Sequence, residues 1–465
     1  MFRIFGHYIH KSLLLLLMTE AVILSLSIYL AVEVRFSDTG TGMTVPVEPL
    51  LPKALVFCLI MIATMTSMGL YQRDLREGIE GMLIRMGASF VLGLILLSMV
   101  FYFSPPLFLG RGAFGYAVLF AITGIAFSRV AFLKLVDQEA LKRRILVLGT
   151  GKRASSIAQL RRSSDLRGSR VVGFVHMKGD HDIVDQSRVM PLESTLLEFC
   201  KQHQIDEIVI AVDDRRKGFP VEEILDCKMS GIQVVDKLTF FERQMGKLIL
   251  SSLHPSWLIF SEGFHKGITR EYTKRAFDIS VSFIILVLTF PIIVLTALAI
   301  WMESGFRGPI FYRQVRVGQN WRLFQVMKFR SMCVDAEKDG VAQWAQQNDA
   351  RVTRIGKFIR KVRIDELPQL INVLRGDMSF VGPRPERPMF VEQLSDKIPY
   401  FAERHRVKPG ITGWAQIMYP YGASEHDSIE KLQYDLYYVK NYSLFLDLMI
   451  LFQTAEVILW GKGAR

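Results

Sequence analysis

Asp365 and Glu366 stand side by side behind a run of cations: Arg351, Arg354, Lys357, Arg360, Lys361 and Arg363. In such a pair one carboxylate can attack phosphorus while the other holds a divalent cation, and the nearby cations would balance phosphate charge. Alone, an Asp-Glu dipeptide is more often a solvated turn. Its surroundings argue otherwise. Downstream lie Gly376-Asp377-Met378-Ser379-Phe380-Val381-Gly382-Pro383-Arg384-Pro385-Glu386 and Lys408-Pro409-Gly410-Ile411-Thr412-Gly413-Trp414-Ala415-Gln416. Glycine and proline at that density fix turns, so Arg384 and Arg406 are expected to be held in defined directions. Upstream, Phe311-Tyr312-Arg313-Gln314 and Lys328-Phe329-Arg330-Ser331-Met332 alternate charged and apolar residues, which predicts strands that present Lys328 and Arg330 together.

The elements that must carry these groups belong to a membrane protein. Half of the 465 residues are apolar, with 32 Phe and 20 Met, too many for an ordinary soluble enzyme of this size. Four stretches, Ser12 to Val34, Leu51 to Leu70, Leu83 to Phe103 and Phe114 to Val136, each approach the roughly 20 residues that cross a hydrocarbon core. The first is too long for a cleaved signal and lacks a small-residue cleavage site. Arg3, Lys11, Arg73, Arg76, Arg85, Lys134, Lys142, Arg143 and Arg144 fall on one side of these spans, and only Arg35, Lys53 and Arg111 on the other. The N-terminus and everything after the fourth span are therefore expected to face the cytoplasm.

A fifth apolar stretch, 276–301, is also long enough to cross. Lys274 and Arg275 precede it, Arg307, Arg313, Arg316 and Arg322 follow it, and Pro291 near its middle favours a break. A helix that dips in and returns on the same face satisfies the charge rule, with a kinked span as the alternative. The net charge of +12 points to anionic headgroups and phosphate substrates and not to nucleic acid, because the basic residues adjoin apolar runs. Cys58, Cys200, Cys227 and Cys333 have no metal or redox spacing.

Between 142 and 250 short apolar runs, Ile145 to Leu148, Val171 to Val175, Ile208 to Val212 and Ile232 to Val235, alternate with polar helical segments, as in βαβ units with a parallel sheet. The first turn reads Gly149-Thr150-Gly151-Lys152-Arg153-Ala154, half of a dinucleotide fingerprint. No acid occupies the ribose position after the second strand. Lys152 and Arg153 at a helix start could still receive a phosphate; the alternative is a Rossmann-like domain used for regulation or oligomer contacts. Trp257 and Phe260, in a connector, suit a membrane interface or a packed linker.

The C-terminal motifs resemble those of the bacterial polyprenyl-phosphate hexose-1-phosphate transferases, the phosphoglycosyl transferases that initiate exopolysaccharide or O-antigen synthesis. The resemblance covers about Thr273 to the end, and the front of the chain is similar to that of the longer members. It implies a membrane α-helical N-terminal bundle (1–140), an α/β Rossmann-like middle domain with a degenerate fingerprint (141–252), a linker (253–272) and a helix-rich α/β catalytic domain (273–465) with a re-entrant membrane helix, on the cytoplasmic face of the bacterial inner membrane. By the same resemblance Lys274, Arg275 and Asp278 match the basic entry to that helix and Pro291 its break. Asp365 matches the nucleophile, Glu366 the acid that holds Mg²⁺, and Arg384 a phosphate-binding turn. The implied substrates are a UDP-sugar and undecaprenyl phosphate, with UMP released. Lys328, Arg330, Asp377 and Arg406 are candidate substrate-binding groups.

Each of these four also has a plain reading: Lys328 and Arg330 as snorkelling surface charges, Asp377 as a turn cap, and Arg406 as a neighbour of Glu403. Two features depart from the family pattern. The break reads Phe290-Pro291 without the serine of smaller members, and Gln416 is followed by Ile417-Met418-Tyr419-Pro420-Tyr421-Gly422, similar to the exosortase and PEP-CTERM branch, which leaves the sugar open. A homodimer is also left open. A membrane nucleotide-sugar dehydratase or epimerase would need a Tyr-x-x-x-Lys pair, and no Tyr here has Lys four residues on. The remaining alternative is an inactive polysaccharide-assembly scaffold, which the intact Asp365, Glu366 and Arg384 disfavour.

Overall fold

A computed structural model describes the chain except residues 1, 5–6, 10, 38–48, 72–77, 137–141, 161–168, 215, 217, 262, 265–266, 334–350, 420–421, 423 and 460–465. Arg73, Arg76, Pro420 and Tyr421 of the sequence reading lie outside the described residues. Two compact units emerge, residues 8–246 and 247–465, with the first few residues shared between them.

In the first unit four helices, Lys11–Ser37, Leu50–Ser67, Gly78–Phe103 and Arg111–Val136, carry the four expected spans. Each is apolar around most of its circumference. One face packs inward through Leu24, Ile28, Phe57, Met61, Met65 and Ile125, and Leu15, Leu59, Ile84 and Phe127 remain exposed, as lipid-facing helices require. The buried Glu20 is paired with Arg129 at 2.6 Å and accepts hydrogen bonds from the Tyr71 and Ser128 hydroxyls. An unpaired charge at that depth would be costly, so the cluster ties three elements together.

The same unit contains a parallel four-stranded sheet, Arg143–Leu148, Ser169–Val175, Glu207–Ile210 and Gln233–Asp236. All four strands coincide with the expected runs. The first strand pairs with the second and the third, and the third with the fourth. This doubly wound order differs from the dinucleotide order, in which the first strand lies between the second and the fourth.

The second unit is built on the helix Ile268–Glu303. Pro291 lies inside it, and the helix is continuous through that position. The antiparallel hairpin Phe311–Val317 with Leu323–Phe329 follows, with Tyr312 opposite Lys328. Next come an amphipathic helix, Arg354–Lys361, a single 3₁₀ turn, Ile364–Glu366, and the helix Gln369–Arg375. Strand Ser379–Val381 pairs in parallel with Gly410–Thr412, and the helices Glu425–Asn441 and Leu444–Leu459 complete the unit. Val381, Phe401, Leu432, Tyr437, Tyr438 and Leu446 form its core with Leu248 and Leu253, so packing begins well before the C-terminal motifs. Each large side chain removed from water here contributes about 1.5–3 kcal/mol.

Candidate active site

Helix Arg354–Lys361 is started by Thr353, whose hydroxyl accepts the Gly356 N–H. Ile355 and Ile359 pack with Ile300 and Phe329, and Phe358 is exposed among Lys357, Arg360 and Lys361. A side chain at Gly356 would strike the Ser331 carbonyl, so the glycine lets this helix close onto the end of the hairpin. Arg363 then adopts a left-handed backbone, φ 60°, which turns the chain sharply and sets Asp365 and Glu366 in the 3₁₀ turn, both 9% exposed.

The two carboxylates differ. Glu366 Oε1 accepts from Lys328 Nζ at 3.2 Å and from Arg384 Nη2 at 2.9 Å, and Arg363 Nη1 lies 3.7 Å away. Asp365 makes no hydrogen bond or ion pair among the described residues. Burial would raise the Glu366 carboxyl, but Lys328, Arg384 and Arg363 outweigh it and hold the group ionised well below the usual carboxylate range. Burial and the negative charge of Glu366 push Asp365 the other way. Glu366 in turn raises Arg384, which stays charged, while desolvation lowers Lys328 against the pull of Glu366. Adjacent acids with opposite shifts are suited to different roles. Two hard carboxylate oxygens can hold a divalent cation when a diphosphate and water supply the remaining ligands. No group of three His, Cys, Asp or Glu stands ready for a metal among the described residues.

Arg330 follows Lys328 by two residues; it is 9% exposed, and its Nη1 is buried without a hydrogen-bond partner among the described residues, close to Gly308. Lys274 donates to Asp447 at 2.7 Å, to the Tyr438 hydroxyl and to the Val381 carbonyl. Arg275 caps the helix Gln369–Arg375 through the Val373 and Leu374 carbonyls, and Asp278 accepts from the Ser379 hydroxyl and the Phe380 N–H. These three residues join the membrane helix to the strand that leads into the Arg384 turn. Asp377 lies 3.4 Å from the Asn372 amide in a turn, and the exposed Arg406 pairs with Glu403 at 2.9 Å. Neither reaches the acidic pair by a direct contact. Trp414 packs in the core beside Tyr437.

Other residues that build the site escaped the sequence reading. Asn372 bridges Met327 N–H and the Gln325 carbonyl, fixing the strand that carries Lys328. Asp447 and Tyr438 hold Lys274 from far along the chain. A buried polar residue inside an apolar helix, such as Asp447 after Phe445 and Leu446, was the one available signal.

In the sheet domain the glycine turn is filled from within. Asp213 accepts the backbone N–H groups of Lys152 and Arg153, both at 2.9 Å, and a side chain at Gly151 would strike its carboxylate. Asp180 holds the Thr150 N–H at 3.0 Å and the Asp213 N–H at 2.9 Å. The donors that a fingerprint turn would offer to a phosphate are thus taken by a carboxylate of the protein.

The model of the bacterial sugar transferase family matches residues 269–461, the segment that holds the acidic pair and every residue bound to it. An undecaprenyl-phosphate glucose-1-phosphate transferase of Klebsiella pneumoniae is 37% identical over 67% of this chain and 67% of its own length. One from Caulobacter vibrioides is 41% identical over 41% of this chain and 71% of its own. The chain belongs to the bacterial sugar transferase family. A UDP-N-acetylgalactosamine-undecaprenyl-phosphate N-acetylgalactosaminephosphotransferase of Aeromonas hydrophila is 44% identical over 54% of this chain. The match spans 58% of that transferase and 36% of a glucose phosphotransferase of Komagataeibacter xylinus. A second family model, of a CoA-binding domain, matches residues 66–217 and so includes the turn around Asp213. In this bacterial sugar transferase the match at 269–461 begins one residue after the start of the helix Ile268–Glu303, so membrane helix and acidic pair belong to one inherited unit.

Proposed function

We propose that the chain transfers a sugar 1-phosphate from a UDP-sugar to undecaprenyl phosphate, releasing UMP and forming undecaprenyl-diphosphate-sugar, the first step of an exopolysaccharide or O-antigen chain. The observation that carries this reading is the difference between the two acids: Glu366 is tied to Lys328 and Arg384, and Asp365 makes no hydrogen bond or ion pair among the described residues. An ionised, desolvated carboxylate without a hydrogen bond is a competent nucleophile.

An Asp365 oxygen attacks the phosphorus that bears the sugar, the bond to the UMP oxygen breaks, and UMP departs with that electron pair. The acyl phosphate on Asp365 is then attacked by an oxygen of the lipid phosphate, which returns the electron pair to the carboxylate. Lys328, Arg384 and Arg363 offset the repulsion between the attacking anion and the diphosphate. Magnesium, held by Glu366 and the substrate, would supply charge neutralisation at the leaving phosphate. One small site serves two bulky substrates in turn because the first product leaves before the second substrate enters.

The site lies at the cytoplasmic face of the membrane, and the helix Ile268–Glu303 is re-entrant in this reading. Support comes from its two ends. Asp278 is bonded to Ser379 and Phe380, and Ile300 packs on Phe329 and Ile359 of the same unit. Residues 278 to 300 would extend about 33 Å if straight, close to the thickness of a hydrocarbon core. A full crossing would place one of these two contacts with the same unit on the far side. The exposed Phe358 and its basic neighbours suit headgroup depth, where the lipid phosphate lies. The middle domain is read as Rossmann-like, with a structural or regulatory task.

The test uses purified protein with Mg²⁺, undecaprenyl phosphate and a panel of UDP-sugars, scored by UMP release. The reading expects one sugar to be preferred and release to vanish in Asp365→Asn. Equal release by the variant would reject the nucleophile.

A further inference from the structure

Arg384 reaches Glu366 from a turn that cannot stabilise itself. Pro383 and Pro385 have no N–H, so half of the segment's backbone donors are missing. All four of its carbonyls are held from outside. Gly410 N–H donates to Pro383 at 2.9 Å, Arg404 Nη2 to Arg384 at 2.9 Å, Arg316 Nη1 to Pro385 at 3.1 Å, and Val317 N–H to Glu386 at 3.0 Å. Only the second holds the residue whose side chain contacts the acidic pair.

That donor is itself fixed. Arg404 lies in the 3₁₀ segment Phe401–Arg406, and its Nη2 also meets Asp435 Oδ2 at 2.8 Å; the two side chains are 8% and 3% exposed. Asp435 comes from the helix Glu425–Asn441 in the centre of the core, flanked by Tyr434, Leu436 and Tyr437. A buried ion pair is weak evidence for stability, since desolvation consumes most of its attraction. It does impose one geometry, because moving either partner strands a charge. Asp435, Arg404, the Arg384 carbonyl, the Arg384 guanidinium and Glu366 Oε1 form a continuous path from the core to the reacting carboxylates.

We propose that Arg404 and Asp435 are positioning residues that set the aim of Arg384 at Glu366 and at the diphosphate of the nucleotide sugar. The inference rests on the function proposed above. Neither residue contacts Glu366 or Asp365, and their whole effect on turnover passes through Arg384.

The experiment is a double-mutant cycle on the full chain, with kcat and KM for the UDP-sugar measured per folded protein. Arg404→Lys keeps the charge but loses the planar guanidinium whose Nη2 reaches both acceptors. It is expected to lower kcat/KM by about 10- to 100-fold through both constants. In an Arg384→Lys background the same change is expected to cost less than about threefold, because the group it aims has already been altered. Asp435→Asn, which retains an acceptor for Arg404, serves as the milder second variant if Arg404→Lys folds poorly, and the same loss of effect is expected of it. Equal factors in both backgrounds, or no loss in the single variants, would overturn the positioning role. An inactive wild type, or an active Asp365→Asn, would instead sink the transferase reading, so the two failures are separable.

Discussion

Asp365 and Glu366 share one turn of 3₁₀ helix, yet Arg384 bonds only the second, at 2.9 Å. Sequence neighbours with the same functional group have thereby been given opposite electrostatic environments. One is stabilised as an anion by three cations, and the other, with no hydrogen bond or ion pair among the described residues, has its pKa raised by burial and by its neighbour.

Replacing Asp365 by Asn should abolish UMP release, a loss of about a thousandfold or more, because no nucleophile remains. Glu366→Gln should reduce turnover and raise the Mg²⁺ concentration needed for half-maximal rate. Incubating wild type with UDP-sugar and no lipid acceptor should leave a phosphosugar on the Asp365 peptide, read by intact-protein and peptide mass spectrometry. Turnover without any such adduct would rule out the two-step route.

Activity should fall on the acid side as Asp365 takes up a proton. Burial and Glu366 raise its pKa, and Lys328 is the largest opposing influence. Removing that cation as Lys328→Met should raise Asp365 further and move the acid limb of the kcat profile to higher pH. A limb that stays in place or moves to lower pH contradicts the assignment.

His405 is buried beside Trp321, its Nε2 has no hydrogen-bond partner among the described residues, and burial, assisted by Arg404, pushes its pKa down to about 3. A depressed histidine contributes stability above its unfolded pKa of about 6.5 and loses it as pH falls toward the folded value. His405→Phe should therefore flatten the loss of Tm between those limits. Asp435 has the opposite slope, since burial raises it to about 6 despite Arg404, and Glu386 and Lys431 also act on it. That contribution cancels in the difference between variant and wild type. Parallel Tm curves would show that His405 protonates freely.

Cysteines introduced at Arg270 and Arg307, in a background without the native four, should both be labelled by an impermeant maleimide from the cytoplasmic side of inverted vesicles. Labelling from opposite faces would mean that the helix between them crosses.

Asp213 occupies the amide donors of the glycine turn, so neither NADH nor CoA should raise the melting temperature of the full chain. Asp213→Ala frees those donors and should weaken the turn itself, lowering stability by about 1 kcal/mol or more. A clear ligand-induced shift in the wild type would show that Asp213 can be displaced.

Much of the architecture was legible in local sequence. The four spans and the four strands could be read because hydropathy and apolar run length operate over a few consecutive residues, and the hairpin because charged and apolar residues alternate from Phe311 and again to Arg330. The acidic pair was visible as a dipeptide among cations. The break expected at Pro291 is not seen, since the helix Ile268–Glu303 runs on through it.

Tertiary structure alone decided which groups meet. Glu366 finds Lys328 and Arg384 across 38 and 18 residues, and Lys274 finds Asp447 across 173. Arg406, equally basic in sequence, turns to its neighbour Glu403, while Arg404, two residues earlier, enters the core against Asp435. Asp213 enters the glycine turn across 61 residues. The physical reason is common to all of these. Residue type and spacing set what a segment can become, but a charge's role depends on which distant charges share its low-dielectric surroundings, and only chain packing chooses those.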